Sequence, residues 1–357
     1  MKIKLVSSIK FYIFYLLYLL TAVFLIVEII CRIFPTSTPL FLAPVSSKDD
    51  ILRYQPNQNS TYSLGGNFYQ VVDKATNNYG FFSSQDYLEK SEPDLMIIGD
   101  SFVEAVQIKN EDTIGEIISK RSHNLTVYQM GIGGVPLSQY IKMLHFAEKE
   151  FSPKEYIFVI VGNDFDESLC EVRVKEGTWC FNENYELIFT PFNGYSNKRW
   201  LARQLAFARY VVFNLSVEWR PIAAKIGITD PAMSADREFA GNTERNKSDK
   251  TNNRSIKVLE EFFEELKDLG VDKKTTLIIN ADHEDIYNNL KTKSFFRNMR
   301  NALMKMADLN NVKYIDMEPI FLSDYKVFSK KFDFPTDGHW NEYAHSLAAK
   351  AFLKQRQ

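Results

Sequence analysis

Metal-site chemistry and nucleic-acid binding are both poorly provided for in this chain of 357 residues, which holds 3 cysteines, 5 histidines and a formal net charge of −2. Around Cys170 and Cys180 no second Cys or His pair stands at zinc-ligand spacing. With 43 basic and 45 acidic side chains the chain lacks the electrostatic footprint of a nucleic-acid binder, and no long basic or aromatic-interleaved run supplies one locally. Internal repeats are lacking too, which argues against a solenoid. Disorder is excluded from the other side: 45% hydrophobic and 14% aromatic residues are enough to bury a substantial core, in one large domain or two small ones.

Long apolar runs are confined to the amino terminus. Behind Lys2, Lys4 and Lys10 comes the uncharged "FYIFYLLYLLTAVFLIV", Phe11 to Val27, followed by Glu28 and Arg32. Extended by Ile29 to Cys31, this run is about long enough to cross a bilayer as a helix. It exceeds a usual signal-peptide core and lacks a small-x-small cleavage pattern, which favours an uncleaved anchor over a cleaved signal. A buried core helix is disfavoured, because the run is apolar on every face. Three lysines precede the span and only Arg32 follows closely. The positive-inside bias therefore leaves the amino terminus in the cytoplasm and the rest of the chain extracytoplasmic, on the periplasmic side or the cell surface. In such an oxidising compartment Cys170 and Cys180, which bracket one short segment, are either a disulfide or two ordinary buried thiols.

Residues 1–33 thus read as an anchor helix, and 34–92, rich in Pro, Ser, Asn and Tyr, as a stalk and lead-in segment. From residue 93 to 357 apolar strands alternate with helical patterns. Leu95–Ile98 precedes a helical stretch to Lys120, Leu125–Tyr128 precedes another at Leu137–Glu150, and Tyr156–Val161 ends at "GND". Later, Ile256, Leu259, Phe263 and Leu266 form one helical stripe with Gly270 as cap, Thr276–Ile279 and Val312–Ile315 read as strands, and a last helix starts at Asn341. The expectation is a three-layer α/β/α domain on a five-stranded parallel sheet. An insertion at about 171–254 interrupts it. There "RWLARQLAFARYVVFNL" lines up Leu201, Leu205, Ala208, Val212 and Leu215, either as a lid-like helix packed on the domain or as a helix lying on a membrane surface.

The polar residues at the strand ends carry the chemistry. In "LMIIGDSFVEA" the buried-looking strand breaks at Gly99-Asp100-Ser101, so Ser101 would stand at the carboxyl edge of the sheet where a helix opens. Taken alone, that serine is equally well a helix cap. After the second strand, "QMGIGGVP" places Gly131, Gly133 and Gly134 where backbone N–H groups can approach a ligand. After the third, "VGNDFDE" offers the side-chain amide of Asn163. Near the end, "FPTDGHWN" sets Asp337 and His339 two residues apart on a loop. Serine, imidazole, carboxylate and independent N–H donors are the parts of an acyl-transfer site.

"GDSF", "GIGG", "GND" and "DGHWN" resemble, in order and context, the four sequence blocks of the SGNH, or GDSL-like, hydrolase superfamily, over roughly Asp94 to Gln357 apart from the insertion. The resemblance implies a flavodoxin-like sheet and a serine esterase or acyltransferase. It also implies roles: Ser101 as nucleophile, His339 as base, Asp337 as its partner, and the backbone amides of Ser101 and Gly134 with the Asn163 side chain as oxyanion hole. Phe102 replaces the usual leucine, and Gln129 stands where the glycine block often begins with asparagine. The acid lies two residues before the histidine rather than three, so Asp333 remains an alternative to Asp337. His123, His145, His283 and His345 have no partner at motif spacing, although His283 in "NADHEDIY" could line the site. No metal or organic cofactor is required by such chemistry. The expected partners are the membrane, through the helix, and a glycan or small ester substrate. The expected reaction is acyl transfer from an ester, with an O-acetylated extracytoplasmic glycan as first choice. A lipid or general carboxylesterase and an inert scaffold used for binding or assembly are the rivals.

Overall fold

The computed structural model describes residues 2–47, 50–122, 125–215, 239–240 and 242–356. The chain falls into two compact units, one of Met1–Pro39, Ser60–Asp73 and Tyr195–Ser234, the other of Leu40–Asn59, Lys74–Gly194 and Ala235–Gln357.

The larger unit is built on a five-stranded sheet, here numbered along the chain: β1 Leu95–Gly99, β2 Val127–Gly131, β3 Tyr156–Ile160, β4 Thr275–Ile279 and β5 Lys313–Asp316. All neighbours are parallel and the spatial order is 2-1-3-4-5, the flavodoxin-like order that the family resemblance implies. The central strands are largely apolar because both faces are covered, and alternation within each strand sends side chains to two separate cores. Met96, Ile98, Tyr128, Phe158 and Leu277 join the core beneath the helices Leu137–Glu150, Asp249–Asp268 and Phe295–Asn310. Leu95, Ile97, Val159, Ile278 and Ile315 join the opposite core with the helices Ile114–Arg121 and Glu342–Arg356.

Strand boundaries lie within three residues of expectation, but the helix foreseen from Ser101 to Lys120 does not run through. It stops after Ser101–Glu104, where Ala105 turns left-handed at φ 49°, and resumes at Ile114. The buried Lys74 Nζ donates to the carbonyls of Glu104 (3.3 Å) and Ala105 (2.7 Å), taking the place of the next helical turn. Cys170 and Cys180 are bonded, with Cα atoms 5.0 Å apart. Their loop leads into a small hairpin, Trp179–Phe181 with Leu187–Phe189.

In the smaller unit, Lys2–Ile33 is one helix whose stretch Lys10–Ile33 contains an 18-residue window of mean hydropathy 2.6 and is long and apolar enough to cross a membrane. The expected single helix around Leu201–Leu215 is instead divided into Asn197–Gln204, Ala206–Arg209 and a π-helical turn Tyr210–Asn214. It groups with the N-terminal helix, and the Glu28 carboxylate causes the break at Leu205 by accepting the N–H groups of Ala206 and Phe207, both at 2.9 Å.

Candidate active site

Parallel strands in register deliver their following loops to one edge, and the first three of the blocks singled out above leave that edge. Gly99 at the end of β1 pairs with Gly131 at the end of β2, and Ile98 with Phe158 on β3. The close fit depends on Gly131: a Cβ there would lie 2.1 Å from the Glu104 backbone nitrogen. Only glycine lets the short helix Ser101–Glu104 approach β2 so nearly.

Ser101 is the first residue of that helix. Asp100 precedes it, fully buried, and its carboxylate accepts the N–H of Phe102 at 2.9 Å and lies 3.2 Å from Ser101 Oγ. Burial pushes the Asp100 carboxyl up. From the far end of the chain, the antiparallel pair Asp333–Phe334 and Asp337–Trp340 carries His339 in, and Trp340 fixes this element by donating its indole N–H to Asn280 at 2.8 Å. His339 Nε2 lies 2.7 Å from Ser101 Oγ. His339 Nδ1 makes a short contact with Asp337 Oδ1, which also accepts the His339 backbone N–H at 3.1 Å.

Burial opposes the charged imidazolium, but the hydrogen bond and charge of Asp337, helped by Asp100 and Glu104, outweigh it and raise the His339 pKa above its usual 6.5. Asp337 moves the other way: burial alone would raise it, yet His339 and a hydrogen bond from Gln107 hold it below the ordinary carboxylate value. Gln107 Nε2 donates to Asp337 Oδ2 at 3.0 Å. The spacing gave no hint of this contact, since Gln107 has no motif of its own.

The alternative acid, Asp333, is engaged elsewhere. It accepts the Tyr287 hydroxyl at 3.0 Å and lies 3.1 Å from His283 Nδ1. His145 pairs with Glu265 at 2.9 Å, His345 is buried with Nδ1 accepting the Ile114 N–H at 3.3 Å, and His123 lies outside the described residues.

Two supports on the donor side also lacked any sequence signal. Gly134 has φ +65°, a left-handed conformation that suits glycine, and Lys175 Nζ donates to the carbonyls of Gly133 (2.7 Å) and Gly134 (3.2 Å). Beneath the same loop lies the buried Glu104, which Tyr54 contacts through its hydroxyl and toward which Gly133 directs its N–H. The Asn163 side chain is held through its oxygen, which accepts from Asn242 Nδ2 at 2.9 Å, while its amide nitrogen donates to Glu167 Oε2 at 3.5 Å. Arg173 in turn ion-pairs with Glu167. Asp164 does not reach the edge: its buried carboxylate accepts the Val161 N–H at 2.7 Å and the Tyr140 hydroxyl at 3.0 Å, bracing the loop.

No protein-family model matches the chain, and no curated protein matches it significantly. Among solved structures it is similar to an acetyl xylan esterase, AlAXEase, at 14% identity and a TM-score of 0.40, over 73% of this chain and 98% of that one. It is also similar to a lipolytic protein of the G-D-S-L family from Veillonella parvula, at 13% identity and a TM-score of 0.38, over 73% of this chain and 96% of that one. The psychrotrophic esterase EstA from Pseudoalteromonas sp. is similar at 9% identity and a TM-score of 0.37, over 73% of this chain and 95% of that one. At such identities and scores, the chemistry of the site has to stand on its own residues.

Proposed function

We propose that the protein is a serine hydrolase or O-acyltransferase of the SGNH type, acting on ester-linked acyl groups through an acyl-serine intermediate. The observation that carries this reading is the unbroken chain from Ser101 Oγ to His339 Nε2, at 2.7 Å, and from His339 Nδ1 to Asp337. Ser101 attacks the ester carbonyl while His339 takes its proton, and Asp337 holds the imidazole in the tautomer that has its acceptor nitrogen toward the serine. Charge develops on the carbonyl oxygen, and the N–H groups of Ser101 and Gly134 with the Asn163 amide stabilise it. His339 then protonates the leaving alcohol, and water or a sugar hydroxyl takes the acyl group.

The N-terminal helix anchors the protein in a membrane with its amino terminus in the cytoplasm. The Cys170–Cys180 bond supports an extracytoplasmic, oxidising location for the catalytic unit. A substrate made or exported at that membrane follows, and an acetylated glycan is the reading adopted here. One sample of purified full-length protein is to be treated with a fluorophosphonate, which labels only an activated serine, and a separate unlabelled sample is to be incubated with acetylated glycan while released or transferred acetate is measured. Labelling at Ser101 with acetate turnover supports the whole reading. Labelling without acetyl turnover removes the substrate and keeps the enzyme class. Failure to label reduces the fold to a binding scaffold.

A further inference from the structure

The segment from Tyr195 to Leu215 takes no part in the site, and its composition is one-sided: it carries Lys198, Arg199, Arg203 and Arg209 and no Asp or Glu. Its large apolar side chains are exposed, Trp200 by 51%, Leu201 by 57% and Phe213 by 45%. Within the same unit, Phe68 packs between Phe34 and Tyr210, with ring centroids 5.5 and 5.7 Å away. Exposed apolar and aromatic side chains in such number, among basic groups, call for a covering.

The apolar helix fixes the depth at which this surface lies. At about 1.5 Å per residue, the stretch from Phe11 to Ile30 covers about 30 Å, the thickness of a bilayer's hydrocarbon core. Phe207 packs edge-on against Phe24, with ring centroids 6.4 Å apart. By the same rise per residue, Phe24 sits about 9 Å inside the end of that stretch. At the intervening turn Glu28 accepts the N–H groups of Ala206 and Phe207 and, at 2.8 Å, Arg32 Nε. Arg32 also donates to the Gln204 carbonyl at 3.0 Å. A lone carboxylate and an open helix start would both be costly in lipid. Here each satisfies the other.

We infer that residues 197–215 lie in the headgroup–acyl boundary of the bilayer that the N-terminal helix spans, on the side where that helix ends. The occupant of the exposed face is lipid: Leu201, Phe207 and Phe213 enter the acyl layer, while Lys198, Arg199 and Arg203 lie at the level of the phosphates and Arg209 turns inward to donate to the Ser37 carbonyl at 2.7 Å. The continuity of this face with the lipid-facing surface of the helix, through Phe24 and Phe207, identifies the occupant. The inference rests on the reading of Lys10–Ile33 as membrane-spanning, and the experiment separates the two.

Full-length protein with Cys31→Ala is reconstituted in phospholipid nanodiscs and spin-labelled at single cysteines introduced by Leu201→Cys, Phe213→Cys, Leu19→Cys in the span and Glu183→Cys in an exposed turn. Saturation is measured with oxygen, which concentrates in lipid, and with a water-soluble nickel chelate. Positions 201 and 213 are expected to favour oxygen several-fold more than position 183, approaching position 19. If they match position 183 while position 19 is lipid-like, the interfacial placement is overturned and the span survives. If both reagents are excluded from 201 and 213, protein covers the face and the inference is equally overturned. If position 19 itself favours nickel, the spanning reading fails and takes the inference with it.

Discussion

His339 with Asp337 and His283 with Asp333 are both histidine–carboxylate pairs, and one cavity of about 380 Å³ has His283, Asp333 and Asp337 in its wall. Their second ring nitrogens separate them. His339 Nε2 meets Ser101 Oγ at 2.7 Å, whereas His283 Nε2 is buried without a hydrogen-bond partner among the described residues. The rings of Phe321 and Phe332 stand 5.4 and 5.9 Å from His283. Asp337 is braced by Gln107, while Asp333 shares its charge between His283 and the Tyr287 hydroxyl. A carboxylate beside an imidazole is therefore insufficient for a general base. The other nitrogen has to face a nucleophile.

The largest effect expected from this contrast is that of Ser101→Ala: turnover falls on the order of 10⁵- to 10⁶-fold and fluorophosphonate labelling disappears. His339→Ala follows closely, while His283→Ala keeps the labelling rate within about threefold, since its ring faces no nucleophile. Labelling that survives Ser101→Ala breaks the comparison at its root.

Next in size, Asp337→Asn should lower kcat by about 10⁴-fold, because an amide favours the wrong imidazole tautomer. Asp333→Asn should leave kcat within about threefold and instead lower the melting temperature, by weakening hydrogen bonds worth about 1 kcal/mol each. The pH profile sharpens the distinction. The base works only as neutral imidazole, and Asp337 raises the His339 pKa above 6.5, so activity is lost as pH falls through that raised value. In Asp337→Asn the acidic limb should move to lower pH, whereas Asp333→Asn should leave it in place. Asn163→Ala follows at about 10²- to 10³-fold in kcat with little change in KM, as for loss of one oxyanion donor.

These contrasts also mark where sequence reading stops. Most strands were legible because each is a largely apolar run closed by a polar or glycine-rich break, and the parallel sheet brought the first three blocks to one edge. The helical breaks were not legible, because their causes are remote in sequence: Lys74 replaces a helical turn at Glu104 and Ala105, and Glu28 restarts a helix at Ala206. Gln107, Lys175 and Asn242 reach the site by the same kind of long-range contact. No periodicity or spacing points to them, since each acts through hydrogen bonds to partners that only the fold brings near.

The smallest predicted effect concerns Lys175, which grips the glycine loop but touches no reacting atom. Burial lowers its pKa from 10.5 to about 8, with the Arg173 charge adding to the shift, so the folded protein disfavours the charged amine. Between about pH 8 and 10.5 the unfolded chain therefore binds the extra proton, and for this group stability rises with pH across that window. Lys175→Met removes the desolvation cost while leaving the carbonyls of Gly133 and Gly134 without their donor, so the melting temperature should change little. The Gly134 N–H, no longer held in line, should stabilise the oxyanion less well. An approximately tenfold fall in kcat, equivalent to about 1.4 kcal/mol of the barrier, is expected with KM nearly unchanged. Wild-type activity should weaken as pH rises past about 8, where Lys175 loses its proton, and this alkaline limb should be missing from the variant. Stopped-flow acylation rates measured from pH 6 to 10 on both proteins decide it. A variant that keeps both the full rate and the alkaline limb would show that Lys175 only ties down its own loop.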